Sequence, residues 1–375
     1  MQIRVVRPGE LGSGEIASWR SMQRSTPSFA NPFLSPDFAI VAGQYRAGTR
    51  VAVLSEGQST VGFFPFEQRK FGVGMPIAAG LTDCQGLVHA PGVQWDARQL
   101  LQACGLSVWK FDHLVEGQHP FERYRTASMP SPVIDLTNGF DSYYKELCAR
   151  SPQLSRNIQR KARKLAREAG ELRFVPDSED KSAFRALLAW KSIQYRRTAQ
   201  VDIFARPWAA GLTEALFGAR SSYFSGLLSV LYVDDVPVAA HFGLRCDHIL
   251  AHWFPAYETN FSKYSPGLIL HLRMAEFIPS VGVRLIDMGT GIQRYKEELK
   301  SRDIFVGEGI VTGQSLLAAA HQARGIGGRW TVDTIKQHRL LFEATSWLRK
   351  QYRLAGNARK RSLSLRRSEL RLSNC

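Results

Sequence analysis

Apolar residues recur along the chain with two periods, every second residue as in strands and every third or fourth residue as in helices. In the first half the two patterns alternate, and turn residues such as Gly57 and Gly105 separate them. The predicted elements are two strands within residues 50–70, a helix at 96–105, a strand at 106–114, and a strand followed by a helix within 127–147. This order is typical of a mixed α/β protein.

The second half repeats the pattern in a more regular order. Two helices precede three strands, and the polar turns Asp234-Asp235 and Cys246-Asp247 predict that these strands form an antiparallel meander. A helix then connects the third strand to a fourth, so we expect these two strands to run parallel and to separate from each other. The predicted helices are 180–197, 206–219 and 265–280, and the predicted strands are 226–233, 236–245, 248–257, 283–287 and 303–311.

Residues 151–170 predict a helix with a narrow apolar stripe. Ser151 suits its first end and Gly170 the residue after its last. Most of the remaining surface is Arg and Lys, so we interpret this helix as a bridge that is anchored to the two halves without being buried. The stripe consists of Ile158, Ala162, Leu165 and Ala169. Farther on, residues 331–356 predict a long amphipathic helix, and the basic residues after it have no period and are expected to be disordered.

The composition is that of a globular protein, with 44% hydrophobic and 22% charged residues. No apolar run approaches the roughly 18 residues needed to cross a membrane, and the first residues lack the apolar core of a signal peptide, so we expect mature sequence there. The five cysteines stand far apart without the spacing of metal ligands. We therefore expect reduced thiols, a cytoplasmic protein and no bound metal.

Fourteen of the sixteen net positive charges lie in two segments. Residues 150–173 hold eight basic and two acidic residues, and residues 331–375 hold eleven and three. The rest is nearly neutral, so we do not expect nucleic acid as a specific partner. The C-terminal segment predicts either peripheral contact with an anionic inner-membrane surface or non-specific attraction to nucleic acid.

Six short motifs occur in order between residue 31 and about residue 311. They are "NPFLSPDF", "LTDCQG", "RNIQRKARKLAREAGELRF", "KYSPGLIL", "IDMGTG" and "YKEEL". As a set they resemble the tandem-GNAT acyltransferases of the CelD-type cellulose and exopolysaccharide biosynthesis family, which are related to the Fem peptidyltransferases. The resemblance implies a GNAT-like domain at 1–150, the linker helix at 151–170, a GNAT domain with the active site at 171–330, and an amphipathic helix with a basic tail at 331–375.

The same resemblance implies an enzyme that transfers an acyl group from acyl-CoA, with acetyl-CoA as the default donor. The acceptor would be a hydroxyl or amine of a saccharide precursor, either a nucleotide-sugar or a lipid-linked glycan, in the synthesis of a cell-surface polysaccharide. Two alternatives remain open. One is a Fem-like transferase that uses aminoacyl-tRNA, and the other is a non-catalytic assembly factor of a polysaccharide machine.

The segment "YSPG" directly precedes a predicted helix. The first N–H groups of a helix lack internal partners and attract anions, and in GNAT enzymes this helix end holds the diphosphate of acyl-CoA. The resemblance therefore implies a cofactor site at Tyr264, Ser265, Gly267 and Leu268. The alternative is an ordinary helix that begins with Pro266.

Three residues are candidates for the chemistry. His241 shares a strand face with small neighbours and is a candidate base, and Asp287 at the end of its strand is a second candidate for that role. Tyr295 is a candidate proton donor to the leaving thiolate, and the backbone N–H groups of residues 248–254 are candidates for the oxyanion site. Each has a structural alternative: a histidine bonded to backbone, a turn cap, and a solvated helix start. His252, one strand over, is a weaker candidate.

Four basic residues are candidates for substrate binding. Arg156, Arg160 and Lys164 repeat every four residues and form one ridge on the linker helix. In the Fem relatives such residues contact a phosphate of the substrate, and the alternative is a solvated face. Lys296 is a candidate to hold a phosphate or a carboxylate.

Overall fold

One mixed sheet of 13 strands runs through the part of the chain that the computed structural model describes, residues 1–291 and 293–313. The strands are β1 (Gln2–Val6), β2 (Thr49–Glu56), β3 (Ser59–Arg69), β4 (Val73–Met75), β5 (Val88–His89), β6 (Val108–Leu114), β7 (Arg125–Asp135), β8 (Leu172–Val175), β9 (Phe224–Val233), β10 (Val236–Cys246), β11 (Ile249–Tyr257), β12 (Leu285–Asp287) and β13 (Arg302–Thr312). Their order is β1-β2-β3-β4-β6-β13-β7-β12-β11-β10-β9-β8, and β5 pairs with β3.

The helices pack on both faces of this sheet. They are α1 (Ser13–Ser25), α2 (Pro36–Tyr45), α3 (Ala97–Ala103), α4 (His119–Glu122), α5 (Gly139–Arg150), α6 (Pro152–Ala169), α7 (Lys181–Arg197), α8 (Pro207–Phe217), α9 (Pro266–Phe277) and α10 (Arg294–Leu299). The predicted α/β elements are thereby confirmed over the described residues. The helix and tail predicted for 331–375 lie outside them.

Alternate residues along the strands face opposite sides of the sheet. Val51 and Val53 point into one core cluster with α1, α2, α7 and α8, whereas Ala52 and Leu54 point into another on the opposite face. A third cluster packs α5, α6 and α9 against the strands of the second half. Because the sheet is covered on both faces, its central strands are apolar on both faces as well.

The predicted meander is confirmed. β9, β10 and β11 pair antiparallel, and the two turns place Asp234 and Asp247 in the left-handed region, with φ of 51° and 49°. Aspartate tolerates this conformation better than most residues because its short side chain can bond the local backbone.

The linker helix is also confirmed as α6. Ile158 and Leu165 are buried while Ala162 is half-buried, so only the thin stripe touches the rest of the protein. Gly170 ends the helix at φ 129°, and a Cβ there would lie 2.2 Å from Oδ2 of Asp234, so glycine is required.

The two halves of the chain share the centre of the sheet. β13 comes from the second half but lies between β6 and β7, and β12 pairs antiparallel with β7. The two predicted domains are therefore joined by one continuous sheet, and the division near residue 150 stays a prediction.

Within the described residues, no helix combines the length and the apolar character required to cross a membrane.

Candidate functional site

A gap opens between two parallel strands near the middle of the sheet. β11 and β12 pair over three residues only, and their last partners are Ala251 and Asp287. Beyond this point the chain after β12 turns towards β7, because the Met288 N–H donates to the Pro132 carbonyl at 2.9 Å. His252 and Asp287 therefore lie where the two strands separate, as the sequence predicts for this pair of strands.

A β-bulge determines which side chains face this gap. His241 on β10 pairs with Pro255, but Gly243, two residues on, pairs with His252, so Trp253 is an extra residue in β11. The extra residue reverses the alternation along β11 and turns His252 to the face of His241. The two imidazole rings stack at a centroid distance of 4.1 Å.

A third imidazole extends this pair towards the start of α9. His271 lies in α9, and its Nε2 is 2.6 Å from Nε2 of His252. Its Nδ1 bonds the carbonyl of Gly267, one helical turn earlier. Burial lowers the pKa of His271 to about 4 and holds the pKa values of His252 and His241 well below the usual range, so all three rings are neutral at pH 7.

Asp287 is held by three hydrogen bonds. Its Oδ1 accepts from the Ser131 hydroxyl at 2.8 Å and from the Gly289 N–H at 3.0 Å, and its Oδ2 accepts from the Asn31 amide at 3.0 Å. Burial raises the pKa of this carboxyl, and the Gly289 and Ser131 hydrogen bonds oppose that rise. The carboxylate thus ties two segments of the first half to the turn of the second half that contains Gly289 and Gly291, which we call the glycine turn.

Lys296 closes the glycine turn from the other side. Its Nζ donates to the carbonyls of Gly289 at 3.0 Å and Thr290 at 2.8 Å, and burial lowers its pKa. Asp83 lies against the same turn, where a Cβ on Gly289 would be 2.7 Å from its Oδ2. His113 is 3.7 Å from this carboxylate and 2.9 Å from the Thr290 hydroxyl. Burial raises the pKa of Asp83 although His113 opposes the rise.

Helix α7 supplies two further polar side chains near the gap. Burial, with the positive charge of Lys296 nearby, lowers the pKa of Lys191 to about 8, and its Nζ donates to the Pro255 carbonyl at 3.4 Å. Burial and the negative charge of Asp83 raise the pKa of Tyr195 to about 12. The gap is therefore bounded by ionisable groups from both halves of the chain.

The start of α9 has the features of an anion site. Ser265 precedes the helix in the left-handed region at φ 52°, and its hydroxyl accepts a hydrogen bond of 2.6 Å from Nζ of Lys161 on α6. The Leu268 N–H bonds back to the Ser265 carbonyl, whereas the Gly267 N–H comes too early in the helix to have an intrahelical partner. The position of a Cβ on Gly267 would be 3.6 Å from the Tyr257 ring and meet nothing closer.

The structure brings most of the predicted site residues together. His241, Asp287 and Lys296 bound the gap, and the Tyr295 ring lies 5.0 Å from His271. Ser265, Gly267 and Leu268 form the start of α9, which the His271 bond connects to the gap. The roles assigned to these residues stay predictions.

Four predicted residues lie elsewhere. Tyr264 is buried in the core, with its hydroxyl bonded to Glu168 at 3.0 Å. The ridge on α6 points to solvent: Arg156 bonds the Pro152 carbonyl, Arg160 bonds Asn157, and Lys164 pairs with Glu168. The α6 residue that reaches the start of α9 is instead Lys161.

Several residues of the site carried only a partial signal in the sequence. Asn31 and Asp83 belong to two of the motifs noted above, but no role was predicted for them. Nothing in the local sequence marks His113 or Ser131, because only the pairing of distant strands brings them to the glycine turn. His271 stands four residues after Gly267, a spacing that could have identified their contact along a helix.

Across residues 1–291 and 293–313, no group of three or more His, Cys, Asp or Glu side chains is arranged to hold a metal ion.

One family model and several solved structures are similar to this chain. Residues 153–297, which include α9 and the gap, match the family model described as an acetyltransferase (GNAT) domain. Among solved structures, FemX has a TM-score of 0.50 at 9% identity, covering 83% of this chain and 96% of that one. The C-terminal domain of a putative lysylphosphatidylglycerol synthetase from Agrobacterium fabrum has a TM-score of 0.49 at 9% identity, covering 83% and 97%. A tandem GNAT protein from the clavulanic acid biosynthesis pathway has 0.46 at 10%, covering 83% and 98%. No curated protein sequence matches the chain.

Residues 153–297 are thus similar to an acetyltransferase (GNAT) domain, and the chain shares the fold of FemX.

Proposed function

We propose that this protein transfers an acyl group from acyl-CoA to a hydroxyl or amine of a saccharide precursor of a cell-surface polysaccharide. One observation carries the proposal: the open start of α9 lies one helical turn from His271, and His271 leads directly to the gap between β11 and β12. A donor whose diphosphate is held at the helix start would therefore have its opposite end within reach of the ionisable groups of the gap.

The donor is acyl-CoA, with acetyl-CoA as the default. The Gly267 N–H, the helix dipole and the Lys161 ammonium all favour negative charge at the same place, which suits a diphosphate. The free edge of β11 beyond Ala251 offers N–H groups that have no partner in β12. These groups would stabilise the oxyanion that forms when the thioester is attacked.

The reaction is direct transfer in a ternary complex. The acceptor oxygen or nitrogen loses its proton to a base and attacks the thioester carbon, and the carbon–sulfur bond breaks. The phenol of Tyr295, whose pKa burial raises above its usual range, would protonate the departing thiolate. Asp287 would keep the glycine turn in the shape that receives the acceptor.

The acceptor side of the gap is rich in groups that bond hydroxyls. Asp83 and His113 come from the first half of the chain and meet Lys296 of the second at the glycine turn. Carboxylate, imidazole and ammonium groups together suit a sugar, and Lys296 would also suit a phosphate of a nucleotide-sugar or a lipid-linked glycan. The resemblance to the CelD-type family supports the same acceptor class.

Under this proposal the protein is cytoplasmic and contacts the anionic inner membrane from the cytoplasmic side. The basic composition of residues 331–375 supports this contact on charge alone.

Calorimetric titration with CoA and acetyl-CoA tests the donor site. Replacing Gly267 with Phe should abolish binding without unfolding the protein, because the position has ordinary backbone angles and a Cβ there makes only an ordinary contact with the Tyr257 ring at 3.6 Å. Gly14→Phe is a matched control, since Gly14 is likewise the second residue of a helix and a Cβ there meets nothing within 4 Å. Turnover of acetyl-CoA is then followed by thiol release with nucleotide-sugars as acceptors.

Each alternative has its own outcome in this experiment. Binding of charged tRNA with steep salt dependence, and no heat with any acyl-CoA, would favour the aminoacyl-tRNA-dependent transferase. Folded protein that binds neither donor would favour the assembly factor. Either result would refute the acyl-CoA proposal.

A further inference from the structure

The hydrogen bonds that link His252, His271 and the Gly267 carbonyl determine which ring nitrogen carries each proton. The Gly267 carbonyl can only accept, so Nδ1 of His271 must carry the proton that it receives. Because burial keeps His271 neutral, its Nε2 has no proton and can only accept. Nε2 of His252, which lies 2.6 Å away, must therefore be the donor.

This assignment leaves one free lone pair. His252 is neutral as well, so a proton on Nε2 means that Nδ1 has none. Within the described residues no hydrogen bond reaches Nδ1 of His252, a residue that keeps 4% of its surface exposed, whereas both nitrogens of His241 are buried without a partner. His252 thus presents an unprotonated nitrogen at the point where β11 and β12 separate.

The other two candidate bases are less well placed in the same structure. His241 is completely buried, and neither of its ring nitrogens has a partner or contact with solvent. The carboxylate of Asp287 already accepts three hydrogen bonds, so its oxygens are engaged in holding the surrounding segments. The His241 ring instead stacks on His252 and fixes the orientation of its neighbour.

We propose that Nδ1 of His252 is the general base of the transfer reaction, and that His271 is a positioning residue that fixes its tautomer. The inference rests on the proposed function. The acceptor O–H or N–H bond breaks, its proton moves to Nδ1 of His252, and the acceptor attacks the thioester carbon. The thiolate leaves as the carbon–sulfur bond breaks and takes a proton from Tyr295. His252 later releases its proton to solvent, and the Tyr295 phenolate regains a proton from solvent.

The arrangement couples the donor site to the base. The carbonyl that fixes the tautomers of His271 and His252 belongs to Gly267. The N–H of the same residue lies at the proposed diphosphate site, on the same turn of α9. The charged and titratable groups that face His252 are His241 from β10, His271 from α9, Lys191 from α7, and Lys296 with Tyr295 from α10. Burial and the positive charges among these groups oppose protonation of the ring. The ring therefore stays unprotonated at pH values below the usual histidine pKa.

The first test reads the tautomers and needs no substrate. Nitrogen-15 NMR of the full-length protein with labelled histidine should show His271 with its proton on Nδ1 and His252 with its proton on Nε2. His271→Phe removes the acceptor and should let the His252 proton redistribute, whereas His271→Gln keeps an acceptor oxygen and should preserve the Nε2 tautomer. A proton on Nδ1 of His252 in the unmodified protein would overturn the inference.

The second test measures turnover of acetyl-CoA with the acceptor that the unmodified protein uses. His252→Gln should lower kcat about 100-fold or more while CoA binding is unchanged, which is the usual contribution of a general base. His271→Phe should also lower kcat, with partial recovery in His271→Gln. His119→Gln, at an exposed histidine that begins α4, is the control and should have no effect.

The two proposals fail in different ways. If His252→Gln retains full kcat in an active protein that binds CoA, the assignment of the base is wrong and the proposed function stands. If the unmodified protein binds no CoA thioester, the proposed function fails and this role of His252 fails with it.

Discussion

Lys296 offers a sharp test of how the glycine turn is held in place. The side chain is only 6% exposed, and its ammonium donates to two carbonyls of the turn while facing the carboxylates of Asp83 and Asp287. Lys296→Met keeps the length and the apolar stem of the side chain but removes the charge and both hydrogen bonds. Two buried carbonyls would lose their donor, and two carboxylates would lose their counter-charge.

The expected loss of stability follows from these contacts. Hydrogen bonds from a charged donor contribute about 1.5–3 kcal/mol each, and removing one partner of a buried ionic group costs about 3–5 kcal/mol. The substitution also removes the desolvation penalty of the ammonium, which opposes part of this loss. We therefore expect the free energy of unfolding to fall by about 3 kcal/mol.

The loss should depend on pH in a defined direction. Burial already raises the folded-state pKa values of Asp83 and Asp287, so their ionised forms disfavour folding above the pKa values of the unfolded chain. Without the Lys296 charge these pKa values rise further and the penalty grows. The difference from the unmodified protein should thus be larger at pH 7 than at pH 4, where more of the carboxyl groups are protonated.

Urea denaturation of both proteins at the two pH values measures this difference. Lys145→Met is the control, because Lys145 is exposed on α5 and a surface substitution of this kind should change stability by less than about 0.5 kcal/mol. The reasoning is refuted if the free energy of unfolding of Lys296→Met at pH 7 is within about 1 kcal/mol of that of the unmodified protein. It is also refuted if the difference between the two proteins grows on acidification.

Two further substitutions test the glycine turn and the start of α9. Gly289→Ala should cost about 1 kcal/mol for its positive φ plus the displacement of Asp83, whereas Gly57→Ala, at a similar φ with no neighbour within 4 Å, should cost only the first part. Equal losses by urea denaturation would mean that the contact with Asp83 is unimportant. Lys161→Gln should weaken CoA binding about tenfold in calorimetry, as expected for one lost charge-assisted bond. Arg160→Gln, one residue earlier and turned to solvent, should leave it unchanged, and equal effects would contradict a local phosphate contact.

The sequence by itself determined most of the secondary-structure elements and the segments that carry the candidate site residues. Period-two and period-3.6 patterns, with glycines and polar turns between them, identified α3, most of the later helices and most strands because these signals are local, but they did not identify α1, α2 or α4. The thin stripe that ends at Gly170 predicted α6, and the order of elements predicted that β11 and β12 are parallel and separate. The resemblance predicted one site with Gly267 and Asp287 from two motifs and His241 from its strand, since it carries the order of elements as well as residues.

Only the tertiary structure decided which side chains meet. β13 enters the sheet between β6 and β7, a pairing of residues nearly 200 positions apart that no local pattern encodes. The extra residue Trp253 turns His252 to the face of His241, and alternation read from the sequence cannot detect it, because a bulge depends on the register of two strands. Asp83 reaches Gly289 because strands of the two halves pair with each other, which local patterns do not encode either. Periodicity reports the surroundings of one segment, whereas a chemical site is a property of several segments brought together.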